Sequence, residues 1–585
     1  MDANTLLSAL RTALHSPSHR NWRRTIALIR QAHTTDGADV ELAFAYVQSH
    51  LAHWPWHLRR ADPSWVAEAL ETGTAPPWLQ LSAALTLHRA ESHAARRLLA
   101  QLPDVSSLEL VSMDVQWLPE WLRTTAGKRL VRLGLGHVQT PPEHSWLETV
   151  GTAASTLRTL HLWGAAARPQ RTRRRRRRGQ QPHQPDHPGW IDLDGLRHTP
   201  LLDQLEELCV GLMPGLEKVA ALPFGPQLRQ LGLRGPIALH PLLDALTTSS
   251  ALSGLNRLEL LGCGLEGGHL ARLVHSPHLE RLAVLSLRGN PVGTRGVREL
   301  AQGNLGRLAV LGLGDTGLTR LGGLDAVAKA SWVEHLRVLE LRNNTLSEGA
   351  LEVLGAEPGF AGLRGLWAKD GLDRRASSSW RWPVGSALRL EALELARSLP
   401  GSGPEIVRNL MGSDAPVSQT LRLLDLSGHA LGTVGCMDLC RRSWPQLRVL
   451  RLRACDITGQ GASQWMAEAE HFPRLEVLGL RDNRVSKGVA VQLASHAGLP
   501  TLAILDLENN QLKPPTMRAV RRHHGTPPEP ALSVHQRGRT DRRMVLPYDL
   551  ERDLRWLEEP GVGSVAVEAS RPGWLMAPVR GQWRP

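Results

Sequence analysis

The chain has 585 residues, 42% of them hydrophobic and 21% charged, an ordinary balance for a folded protein too long for one compact core. Its formal net charge is +13, but Arg171, Arg173, Arg174, Arg175, Arg176, Arg177 and Arg178 supply seven of those charges and leave +6 elsewhere. That remainder is too thinly spread to call for an anionic partner, and no apolar run approaches the roughly 18 residues of a membrane span.

The first residues carry Asp2 and no unbroken apolar stretch, so no secretory signal is expected. Residues 1–102 contain "NTLLSALRTAL", "WRRTIALIRQAH", "DVELAFAYVQSHLAHW" and "PSWVAEALET", all with helical apolar spacing, separated by Ser-Pro, Asp-Gly and Asp-Pro breaks. They predict a helical region that covers the end of whatever core follows. His50, His53 and His57 fall near one helical face, but Pro55 interrupts that helix and no carboxylate or cysteine completes a metal set. We read them as surface histidines.

From Val105 onward the chain repeats itself. "LRVLELRNNTL" sets the frame: Leu336, Leu339, Leu341, Asn344 and Leu346 occupy its first, fourth, sixth, ninth and eleventh places. "LAVLSLRGNPV", "LEVLGLRDNRV" and "LAILDLENNQL" repeat it, and weaker copies start at Leu130, Leu157, Leu205, Leu228, Leu255, Leu308, Leu363, Leu390, Leu421 and Leu447. Successive starts from Leu228 to Leu390 lie 26 to 28 residues apart, as do those from Leu421 to Leu502. Leucines at places four and six flank a polar or small residue, as in a short half-buried strand. The ninth-place Asn suits hydrogen bonding to backbone of neighbouring turns, and Cys263 and Cys455 stand in for it twice. A Gly-containing turn and an amphipathic helix then complete each unit. No unit can bury its leucines alone, so stacked units must share one core.

The frame and its period resemble the leucine-rich repeat family, specifically the ribonuclease-inhibitor-like type. The resemblance covers 105–520 and implies an α/β solenoid, a horseshoe with parallel inner strands and outer helices, here with a helical N-terminal cap. Some copies depart from the frame. "LRGLWAKDGL" at Leu363 has Ala368 and Asp370 at places six and eight, and the ninth place holds Thr316, His429, Pro236 or Val138 elsewhere.

The interval from Leu157 to Leu205 is 48 residues, about 21 more than one period. The surplus is the arginine run with "GQQPHQPDHPG", so residues 166–189 read as a disordered insertion within one repeat. Phosphate neutralisation by the run at 168–178 supplies an alternative function, a nucleic-acid-associated protein. Residues 521–585 read as a largely disordered tail with one short helix near 550–559.

No phosphate loop, G-x-S-x-G elbow or H-E-x-x-H pattern occurs, and no cysteine follows Cys455 to serve as a C-terminal nucleophile. We therefore expect no enzyme and name no catalytic, cofactor-binding or metal residue. Cys436 and Cys440 sit on one expected helix as small buried hydrophobes. Five unpaired-looking cysteines favour a reducing, cytoplasmic compartment, and basic residues that are nearly all Arg, with six Lys, fit a GC-rich bacterial genome.

Function is then expected on the concave face, where residues between and after the frame leucines point. Its fifth and seventh places carry Glu259, Arg288, Glu340, Arg342, Trp367, Lys369, Asp425, Arg451, Arg453, Arg481 and Asp506. These columns read either as a mutually neutralising lattice or as a docking surface for a protein of unknown identity. Trp367, expected to be exposed between Arg342 and Lys369, is the anchor that the docking reading nominates.

Overall fold

The computed structural model describes residues 3–513, apart from 18, 35–39, 52, 141–145, 165–192, 213–215, 238, 320–321, 348, 372–387, 400, 412–416, 496–498, 500 and 503, together with Ser533–Val534. The chain divides into two compact units, Met1–Ala245 with Ser249–Leu255, and Leu246–Thr248 with Asn256–Pro585.

The first unit opens with helices α1 (Ala3–Leu14), α2 (His19–Thr34) and α3 (Val40–Leu51). Apolar residues three or four apart, such as Leu6, Leu10 and Leu14 or Trp22, Ile26 and Ile29, pack with Val47, Leu51, Trp54 and Trp78 into one cluster. Helix α4 (Pro63–Thr72) is capped by Asp62, which accepts from Ser64 N at 2.9 Å, and stops at Gly73, whose φ is +76°.

Strands then follow in parallel: β1 (Ala84–His88), β2 (Ser107–Val111), β3 (Arg132–Gly136), β4 (Thr159–Trp163), β5 (Glu207–Gly211) and β6 (Gln230–Arg234). The ladder therefore begins inside the segment 1–102 that the sequence reading assigned wholly to helices. The frame was hidden there because Ser82 stands at the first place, while Leu85 and Leu87 occupy the fourth and sixth. Backbone at Arg59 to Ala61 covers the edge of β1, with Ala83 N donating to Arg59 O at 2.8 Å and Ala61 N to Ala84 O at 2.9 Å. The Arg59 guanidinium donates to Leu81 O at 2.9 and 3.0 Å, and Trp22 Nε1 to Arg60 O at 3.1 Å, which ties the helical cap to the first strand.

β4 and β5 are direct neighbours despite the long interval between them, since Thr159 lies opposite Glu207 and Trp163 opposite Gly211. The arginine-rich stretch is thus an insertion between adjacent strands. It lies outside the described residues.

The second unit continues the pattern with β7 (Arg257–Leu261), β8 (Val284–Ser286), β9 (Val310–Gly312), β10 (Val338–Glu340), β11 (Gly365–Trp367), β12 (Ala392–Glu394), β13 (Leu423–Asp425), β14 (Val449–Arg451), β15 (Val477–Gly479) and β16 (Ile504–Asp506). All pair in parallel at the same register. Ser533–Val534 adds β17 beside β16, a strand in the segment read as tail. Leucines at places four and six, such as Leu339, Leu341, Leu478 and Leu480, are buried as the frame requires. Helices such as Gly293–Ala301 and Gly432–Cys440 return the chain and bury Val297, Leu300, Cys436, Leu439 and Cys440.

The ninth place performs the linking expected of it. Asn344 donates to Leu313 O at 2.8 Å in the preceding repeat and Leu341 O at 2.9 Å in its own, and accepts from Thr316 N and Leu318 N. Asn483 repeats this with Leu452 O, Leu480 O, Cys455 N and Ile457 N. His429 Nε2 and Cys455 Sγ reach the preceding repeat's carbonyls at Leu395 and Leu426, so the substitutes keep the contact. One place earlier the chain leaves most strands through positive φ, at Asn343, Asp370, Asp482 and Asn509 among others.

Candidate functional site

The strand face turned away from the helices carries the third, fifth and seventh places of each repeat, because side chains alternate along a strand. From β8 onward the third place is apolar except at Gly365. Val338, Ala392, Leu423, Val449 and Val477 form a cluster on this face together with Trp367. The sequence reading missed that stripe, although a Val, Ala, Leu or Ile precedes the fourth-place leucine in most copies.

Beside the stripe the charges of this face interlock, most of them at the fifth and seventh places and one, Arg257, at the third. Arg257 pairs with Glu259 at 2.5 Å. The Arg342 guanidinium reaches across one strand to Glu394 at 2.5 Å and lies 3.9 Å from Glu340, which Arg288 approaches at 4.0 Å. Arg451 stands 4.0 Å from Asp425, and Arg481 pairs with Glu508 at 2.6 Å. Glu259, Glu340, Arg342, Glu394, Asp425 and Asp506 are all buried. Burial raises the Glu394 carboxyl above the ordinary carboxylate range; Arg342 opposes that and Asp425 adds to it. Burial pulls Arg342 down, yet Glu394 and Glu340 outweigh it and hold the guanidinium more firmly charged. The carboxylates around Arg342 explain its shift, whereas Glu394 is raised by burial that its share of the Arg342 charge does not cancel.

The expectation of an exposed Trp367 is corrected. Leu366 faces Leu339 and Leu393 across the sheet, so Trp367 stays on the predicted face, but it is only 3% exposed. Gly365 leaves a gap in the apolar stripe two residues earlier, and the indole folds back over it. A Cβ at Gly365 would stand 2.4 Å from Cη2 of that ring. The indole Nε1 is buried without a hydrogen-bond partner. Trp367 is therefore a packing residue on this face.

Accessible charge lies toward the strand exits. Arg453 pairs with Asp482 at 2.6 Å with its side chain 58% exposed, Arg397 pairs with Asp370 at 2.5 Å, and Lys369 is half-buried. Asn509, Arg453 and Arg481 hold Asp482 below the ordinary carboxylate range against the opposing effect of burial. Arg171 and Arg173, Arg174, Arg175, Arg176, Arg177 and Arg178 lie outside the described residues. His50 and His53 are exposed, as expected of surface histidines, and the His57 side chain is outside the described set. All five cysteines are buried and outside any disulfide; burial pushes the Cys455 thiol up to about 12 and raises Cys436 as well.

The first unit's helix-distal face gathers a second cluster that the sequence reading did not nominate. His161 and Cys209, both fifth-place residues, and Glu207, a third-place residue, meet on β4 and β5. Carrying the column rule two repeats further toward the N-terminus would have paired them.

No helix among the described residues is long and apolar enough to cross a membrane. No curated protein matches the chain. Among solved structures, a leucine-rich repeat protein of Leptospira interrogans is similar over 80% of this chain and 98% of its own, at 16% identity and a TM-score of 0.30. Residues 417–440 match the family model described as leucine rich repeat. That segment holds β13 and the helix Gly432–Cys440, one strand-and-helix unit of the parallel solenoid.

Proposed function

We propose that the protein is a non-enzymatic interaction scaffold that holds another protein on the helix-distal face of its second unit. One observation carries the reading: charges of both signs stand in register from repeat to repeat and are held in place by ion pairs, with Arg453, Arg397 and Lys369 reaching solvent at the strand exits. Charges fixed before binding lose little side-chain entropy on docking, and their pattern favours a partner of complementary sign. The buried pairs, including Arg342–Glu394, hold the pattern rigid rather than meeting the partner. The period of 26 to 28 residues with a helix in most units supports the ribonuclease-inhibitor-like type, and five cysteines without a disulfide support a reducing, cytoplasmic setting.

The test is capture from the native host's lysate by the full chain and by a Lys369→Glu/Arg453→Glu variant. Both should show the same circular dichroism, because neither side chain lies in the leucine core, and reversing Arg453 beside Asp482 should lower the melt only modestly. The wild type should retain a protein that the variant binds at least about tenfold more weakly. Equal retention by both would overturn this surface assignment.

A further inference from the structure

We propose that His161, Glu207 and Cys209 form a three-ligand site for one divalent transition-metal ion of the zinc class, on the helix-distal face of the first unit. One ligand atom from each lies within 4.8 Å of the other two. His161 Nε2 is 2.9 Å from Glu207 Oε1, and Cys209 Sγ is 3.8 Å from the same oxygen. A tetrahedral ion with bonds of about 2.0–2.3 Å sets its ligands roughly 3.3–3.8 Å apart. The observed separations bracket that range, so small side-chain rotations seat the ion.

The backbone around the cluster is shaped for it. Parallel register places His161 beside Cys209, and the neighbouring positions on the outer strands are Gly134 and Gly232. A Cβ at Gly232 would stand 2.8 Å from Cys209 Sγ, so glycine there keeps the thiol's position open. His161 and Cys209 are buried at 4% and 5% exposure, whereas the Glu207 side chain is 23% exposed and marks the side from which an ion enters.

Chemistry selects the ion. Thiolate and imidazole favour zinc-class metals over calcium or magnesium, which take oxygen ligands. A dication, one thiolate and one carboxylate sum to zero, which leaves Arg132 beside the ring as a like charge that binding must tolerate. Without metal, Arg132 donates to His161 Nδ1 at 3.0 Å, so Nε2 carries the ring proton and donates it to Glu207. On binding, that proton moves to Nδ1, the Nε2 lone pair goes to the metal, and the Cys209 thiol proton leaves to solvent. One proton is released per ion, and Arg132 gives up its hydrogen bond to the ring. Three protein ligands leave the fourth tetrahedral position for water or another outside group.

The test uses the full chain, stripped with a chelator and titrated with Co2+ as a spectroscopic stand-in for zinc. One equivalent should produce a thiolate-to-cobalt charge-transfer band that Zn2+ then abolishes. Cys209→Ser and Glu207→Gln, both close in shape to the native residues, should fold with unchanged circular dichroism. Cys209→Ser should lose the band, and each should bind Co2+ at least about a hundredfold more weakly. Arg132→Gln should tighten binding, because it removes a like charge and frees Nδ1. A wild-type chain with no band, a band that survives Cys209→Ser, or weaker binding by Arg132→Gln would overturn the proposal.

Discussion

Replacing Trp367 by alanine tests whether that indole belongs to the fold. Its ring fills the space above Gly365 and touches the apolar stripe of Val338 and Ala392. Removing a buried aromatic costs about 3–5 kcal/mol through lost burial and the cavity left behind. The buried Nε1 has no partner, and a donor left unpaired carries about 1–3 kcal/mol of desolvation that the alanine relieves. The net loss expected in a urea unfolding curve is therefore about 2 kcal/mol, the difference of the two central values. Trp367→Phe, which keeps most of the area and drops the orphaned donor, should stay within about 1 kcal/mol of wild type. Gly365→Ala pushes a methyl to 2.4 Å from the ring and should cost about 1–3 kcal/mol by overpacking. That penalty should largely vanish in the Trp367→Ala background, because the clash has gone. A cycle of these variants reads the contact directly. If Gly365→Ala costs as much without the indole as with it, or if Trp367→Ala leaves stability unchanged, the packing argument fails.

Asn483→Ala removes two donated and two accepted hydrogen bonds that join consecutive repeats at buried backbone. A loss of at least about 2 kcal/mol is expected, since two or more of these buried backbone groups are left unpaired at about 1–3 kcal/mol each, and a melt within experimental error of wild type would contradict it. Stability should also fall on mild acidification. Burial pulls His88 and His137 below the ordinary imidazole value, with Arg89 adding to the effect on His88 and His88 to that on His137. Their contribution is complete above the unfolded value of about 6.5 and is lost as pH drops toward their lower folded values, because only the unfolded chain takes up those protons. Melts between pH 8 and 5 should show the loss, and His137→Gln should show a smaller one; an equal loss in that variant would reject the assignment.

The repeat frame by itself determined where the core leucines go. A strand that must bury one face against a helix leaves no choice at places four and six, and Leu339, Leu341, Leu478 and Leu480 are buried accordingly. It also determined the ninth place, because backbone leaving a buried strand needs a partner that Asn, His or Cys can supply in the same position. The strand at Ala84–His88 escaped notice because Ser82 breaks the pattern at the first place, where the neighbouring ladder alone reveals the register. Residues outside the leucine frame were another matter. Whether Trp367 met solvent depended on Gly365 beneath it and Val338 and Ala392 on either side, from strands 27 residues away in each direction. Arg342 and Glu394 lie 52 residues apart along the chain, and His161 and Glu207 lie 46 apart. Parallel stacking alone makes them neighbours, and burial among those neighbours decides which charges interlock and which remain open to a partner.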